Sequence, residues 1–166
     1  MHPSSQTTPS AAAVAHSDHD GPMRRLLPEP ADDISVDQAY SSPLRTRPDG
    51  PWVGLCMVAS IDGSTAVEGT SAQLSSPTDS AVLNRLRQLA DVILVGAGTV
   101  RDEGYGAPRK SDQRIGVISR SGRLDYDSEL FSSGAGFVIS NASGAPDVPA
   151  GVDEIRIGTD EVDLAG

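Results

Sequence analysis

Histidine is nearly absent from this sequence. Its three occurrences, His2, His16 and His19, all fall in an N-terminal stretch rich in proline, serine and alanine. That composition predicts a disordered tail over residues 1–22. The part expected to fold therefore has no histidine, so histidine metal sites, Ser-His-Asp triads and Cys-His pairs are not expected there. Cysteine is as scarce: Cys56 stands alone, which leaves no internal disulfide and no thiolate zinc cluster. Its apolar neighbours make it a small core residue, with nothing adjacent to lower its pKa. No apolar run approaches the roughly 18 residues of a membrane span, and the N-terminus lacks the basic and apolar regions of a signal peptide. Positive charge is in deficit too, with a net charge of −10 and a pI near 4.5. Nucleic acid and anionic membranes are thus not expected as partners. A soluble, cytoplasmic chain is the economical expectation, and 166 residues suit one domain with a real core.

What is present is uneven. Of the thirteen basic residues, Arg85, Arg87, Arg101, Arg109, Lys110, Arg114, Arg120 and Arg123 crowd into one stretch of an acidic protein. Guanidinium groups suit phosphate recognition; ion pairing on a solvated face is their commoner use, above all for Arg85 and Arg114. If the chain is an enzyme, a cofactor carries its chemistry and the protein supplies orientation and charge.

Residues 23–50, with several prolines, read as an irregular lead-in to a folded part over 51–166. "PWVGLCMVASIDG" predicts a mostly buried strand from Trp52 to Ser60, closed by the turn pair Asp62-Gly63. A loop follows, then the clearest helix, capped by Ser76 with Pro77 at its first position and Asp79 in its first turn. Val82, Leu83, Leu86, Leu89 and Ala90 form its apolar stripe. "VILV" at 92–95 predicts a strand covered on both faces, and further strands are expected at 114–119, 136–140 and 153–158. Strands alternating with helices imply an α/β domain with a mainly parallel sheet. The final "TDEVDLAG" reads as a capped helix start that stops almost at once, suggesting a C-terminal truncation.

"ADVILVGAGTVRDEGYG" carries the most suggestive motif. A dinucleotide fingerprint would need a third glycine where Arg101 stands, and would sit on the first strand of its unit. It fails on both counts. Gly96 and Gly98 still let backbone approach a ligand, and Thr99 offers a hydroxyl and an amide at a helix start.

Three segments taken in order, "ASIDGSTA", "GTSAQLSSPTDSAVLNRLRQLADVILVGAGTVRDEGYG" and "RIGVISRSGRLD", resemble the reductase domain of riboflavin biosynthesis, the C-terminal domain of bacterial bifunctional deaminase-reductases. The resemblance spans roughly Trp52 to Arg123. It implies a dihydrofolate-reductase-like fold, a mainly parallel central sheet with helices on both faces, and makes 51–166 the N-terminal part of that domain. It implies an NADPH-dependent reductase of 5-amino-6-(5-phosphoribosylamino)uracil, working as a homodimer when complete. The cofactor would meet Val58, Ala59, Gln73, Thr99 and Glu103, with Gly96 and Gly98 beneath its phosphates and Ser119 and Arg120 at its 2′-phosphate. The substrate's phosphoribosyl end would meet Ser71, Arg87 and Arg109. Arg87 has a second reading, a helix pair with Asp91. Asp62 falls near the nicotinamide as the candidate catalytic residue, its alternative being a plain Asp-Gly turn. Two departures stand out: many bacterial relatives have lysine where Cys56 stands, and the glycine-rich second nucleotide segment is missing. A pterin-type reductase and a non-catalytic nucleotide-binding or interaction module are the competing expectations.

Overall fold

A computed structural model describes residues 23–41, 50–69, 71, 73–143 and 148–164; the expected tail over 1–22 lies outside them. At the centre is a four-stranded parallel sheet, built from β3 (Val92–Gly96), β4 (Arg114–Ile118), β5 (Gly136–Ser140) and β6 (Asp153–Arg156) in chain order. Its register pairs Val95 with Val117, Val117 with Val138, and Ile139 with Ile155. Helices α2 (Pro77–Leu89), α3 (Ala97–Glu103) and α4 (Glu129–Ser132) flank it. The α/β class and the parallel sheet expected from the sequence both stand.

Side chains alternate across each strand. Val95, Ile115, Val117 and Val138 turn to one face and form the core with Leu130 and Phe131 of α4, with Ile93 and Val100 packed against it. On the opposite face Phe137 and Ile139 are buried. Val92 and Leu94, however, are 47% and 49% exposed, which corrects the expectation that β3 is covered on both sides. It is the edge strand, and its second face is only half covered.

α2 has the predicted limits because its signals are local. Ser76 accepts a hydrogen bond from the Asp79 amide, and Pro77 occupies the first turn, where a missing N–H costs nothing. Its apolar stripe is half-buried, with no residue fully enclosed.

Four further expectations are corrected. The strand over Trp52–Ser60 does not form, and its apolar side chains lie in solvent, Leu55 being 87% exposed. An apolar run becomes a strand only where a neighbour pairs its backbone, and no described strand does so. Cys56, within that run, is exposed rather than part of the core. The lead-in is not wholly irregular: β1 (Met23–Arg25) and β2 (Ala31–Ile34) pair antiparallel, and α1 (Val36–Ala39) follows, opened by a reciprocal capping box between Ser35 and Gln38. Finally, no helix starts at 159–164. Gly158, at a φ of +78° where an added Cβ would lie 2.2 Å from the Glu161 carbonyl, turns the chain back, and the Asp163 amide donates to the Ile157 carbonyl.

One carboxylate ties the last two strands together. Glu154 accepts from the fully buried Ser140 hydroxyl at 2.7 Å and pairs with Arg156 at 3.0 Å. The Ser140 hydrogen bond chiefly, with Arg156 assisting, holds its carboxyl below the ordinary glutamate range. Such a group contributes stability above that range, lost as pH falls through its folded pKa. Glu154→Gln is therefore expected to melt below the parent at pH 7, with the difference closing below about pH 4. Melting curves of both proteins across pH check this; a gap independent of pH would refute it.

Candidate functional site

The sheet separates the expected site residues into two groups. At its carboxyl edge β3 ends in Gly96, which N-caps α3, with Gly98 and Thr99 in the first turn of that helix. Ser119 and Arg120 follow directly on β4, the neighbouring strand. Parallel sheets bind ligands beyond their carboxyl ends, and the local geometry suits a large one. A Cβ added at Gly96 or Gly98 meets nothing within 4 Å, and neither has a positive φ. The protein's own packing therefore does not demand glycine here, and the space in front of the turn is open. Ser119 is buried and its hydroxyl oxygen accepts from the Gly122 amide at 3.0 Å, shaping the turn that carries Arg120. Arg120 is exposed and, among the described residues, its side chain has no partner. An open glycine turn beside an unpaired guanidinium leaves space and positive charge for an anionic group.

The second group surrounds a cleft of about 340 Å³ at the amino ends of β3 and β4. Arg87, Glu103, Arg109 and Lys110 line it, together with Tyr105, Ile93 and Gln113. The Arg87 guanidinium donates to the Tyr105 hydroxyl and lies over the Tyr105 ring, 5.2 Å from its centroid. Its expected helix partner, Asp91, faces Lys110 instead at 3.8 Å. The last turn of α2 is fixed from below by Gln113, buried at 4% exposure, whose side-chain amide donates to the carbonyls of Arg87 at 2.6 Å and Ala90 at 2.7 Å. Those carbonyls are among the four that a helix C-terminus leaves unpaired. Ser71 joins the cleft by donating to Glu103 at 2.8 Å. Glu103, expected at the cofactor, thus stands with the residues expected at the substrate. Arg109 is exposed and has no ion pair among the described residues. By contrast, Arg85 and Arg114 are engaged in ion pairs with Asp37 at 3.1 Å and Asp153 at 2.7 Å.

Four expected residues stand in neither group. Val58 and Ala59 lie in the segment that forms no strand. Gln73 donates to Glu68 at 3.2 Å, within its own loop. Asp62 is fully exposed in a tight turn, accepting from the Ser60 hydroxyl and, at 3.4 Å, from the Ser64 amide. The Ser60 hydrogen bond, followed by the Ser64 amide, holds its carboxyl below the ordinary aspartate range. At neutral pH it is an acceptor with no proton to give, which is the chemistry of an Asp-Gly turn. Sequence reasoning missed Tyr105, Gln113 and Lys110. Only Tyr105 left a trace, a lone aromatic between two glycines just ahead of Arg109 in "EGYGAPR".

A family model, RibD C-terminal domain, matches residues 51–157. Among solved structures, a pyrimidine reductase-like protein from Corynebacterium diphtheriae is similar at 27% identity and a TM-score of 0.51, over 62% of this chain and 53% of its own. The chain thus spans about half the length of that relative. No curated protein matches the chain.

Proposed function

Because the chain belongs to the RibD C-terminal domain family, we propose that it is an NADPH-dependent reductase of 5-amino-6-(5-phosphoribosylamino)uracil in riboflavin biosynthesis. One observation carries this reading: Arg87, Arg109 and Lys110 converge on a single cleft, while the open glycine turn and Arg120 stand at the other edge of the sheet. Two anionic ligands, or two anionic ends of one assembly, would thereby be held apart. NADPH, when bound, supplies the hydride that reduces C1′ of the opened ribose. The chain's own residues do the rest by orientation. Gly96 and Gly98 let backbone approach the cofactor phosphates, and Arg120 meets the 2′-phosphate. Arg87 and Arg109 receive the substrate phosphate, and Glu103, steadied by Ser71, is an acceptor on the cleft wall.

The cofactor half is tested by titrating NADPH and NADH while following nicotinamide fluorescence. NADPH is expected to bind at least about tenfold tighter, and Arg120→Ala to remove most of the difference, since one charge-assisted contact contributes about 1.5–3 kcal/mol. Equal affinity for both cofactors would overturn the assignment. A second reading, a non-catalytic interaction module, is favoured by the exposed apolar run at Val53, Leu55, Met57 and Ile61, more than scattered surface residues account for. Binding of neither NADPH nor ribose 5-phosphate would select it.

A further inference from the structure

We propose that Tyr105 is a positioning residue, a neutral clamp that holds the Arg87 guanidinium toward the cleft without cancelling its charge. The inference rests on the reading of that cleft as an anion subsite. A long side chain at a helix end is costly to order, so some partner must fix it if it is to meet a ligand in one geometry. The usual partner is a carboxylate, and one is within sequence reach at Asp91. A carboxylate would orient the guanidinium but neutralise it, leaving little attraction for an incoming anion. Instead, the Arg87 guanidinium donates to a phenol oxygen and lies over its ring. Both contacts orient a cation through partial charges only. Glu103, the carboxylate that also lines the cleft, accepts from the Ser71 hydroxyl.

The phenol is suited to this role because it stays neutral and stays put. Burial raises the Tyr105 pKa above its ordinary value, with Glu103 adding and Arg87 opposing. Its position is set by the backbone. Gly104 ends α3 in the left-handed conformation at a φ of +64°, its amide bonding the Val100 carbonyl at 3.2 Å. Only a glycine adopts that φ readily, and it delivers Tyr105 onto the edge of the core. With Gln113 gripping the Arg87 carbonyl, the arginine is held at both its root and its tip. The hydroxyl accepts from Arg87 and keeps its own proton, free to be donated.

The test is calorimetric titration of ribose 5-phosphate into the parent, Tyr105→Phe, Arg87→Ala and the double variant, with melting temperatures of all four. Tyr105→Phe keeps the ring and loses only the hydroxyl. It is expected to weaken binding about tenfold with the melting temperature within about 2 °C of the parent. In the Arg87→Ala background the same change should cost nothing further, because the clamp has nothing left to hold. If Arg87→Ala loses binding while Tyr105→Phe binds as the parent does, the clamp is overturned and the anion subsite stands. Equal losses from Tyr105→Phe with and without Arg87 would mean that Tyr105 acts on the ligand directly, overturning its action through Arg87. A parent that does not bind ribose 5-phosphate overturns the anion subsite, and the clamp with it.

Discussion

Leu130→Ala is expected to lower the unfolding free energy by about 2–5 kcal/mol, a large fraction of the roughly 5–15 kcal/mol that holds a domain of this kind together. Leu130 has no exposed surface. It sits in a helix of four residues, too short to hold itself by hydrogen bonding, so Leu130 and Phe131 are what fasten that helix to the sheet. The contact is tight as well as apolar. A Cβ added at Gly136 would lie 2.8 Å from the Phe131 ring and 3.0 Å from both the Leu130 side chain and its carbonyl. Strand and helix therefore approach as closely as a bare glycine allows, and little is left to relax into the cavity. Leu55→Ala removes the same atoms from a side chain 87% exposed, and should change stability by no more than about 0.5 kcal/mol. Urea unfolding with an unchanged slope checks both. Comparable effects at the two positions would mean that the exposed run is buried in solution.

The elements that could be read from the sequence are those whose causes are local. Ser76 and Pro77 start α2 by chemistry contained within one turn, and the apolar runs of β4 and β5 have a paired strand on each side. Trp52–Ser60 has the same apolar character, but a strand is half of a pair, and its partner is not written in its own residues. α4 is too short for any 3.6-residue pattern to register. The site divides along the same line. Arg87 and Arg109 stand out as cations in an acidic chain, and the structure brings them into one cleft with Glu103 and Ser71. The partner of Arg87 was not legible. Helical spacing offers Asp91, four residues on, whereas the contact made is with Tyr105, beyond a strand and a second helix. The family resemblance puts Glu103 at the cofactor, but α3 carries it from the carboxyl edge of the sheet to the cleft near its amino edge.

That separation makes Arg87→Ala the most discriminating single substitution. It is expected to weaken ribose 5-phosphate binding about 30- to 150-fold, the loss of about 2–3 kcal/mol in charge-assisted hydrogen bonding. NADPH affinity should stay within about twofold, because the glycine turn, Thr99 and Arg120 lie at the opposite edge of the sheet and additivity holds for well-separated sites. Stability should fall little, since Arg87 has no ion pair with Asp91 and gives up only its contacts with Tyr105. Asp91→Asn is the matching control: it removes the Lys110 ion pair and should weaken neither affinity. Arg87→Lys should recover part of the loss, because it restores the charge without the planar fork of donors. Thr99→Val runs the other way, weakening NADPH and sparing ribose 5-phosphate. Melting temperatures and both affinities measured on the parent and these four variants decide the matter. If Arg87→Ala lowers the melting temperature and both affinities together, Arg87 is a structural residue and the cleft does not receive the substrate phosphate.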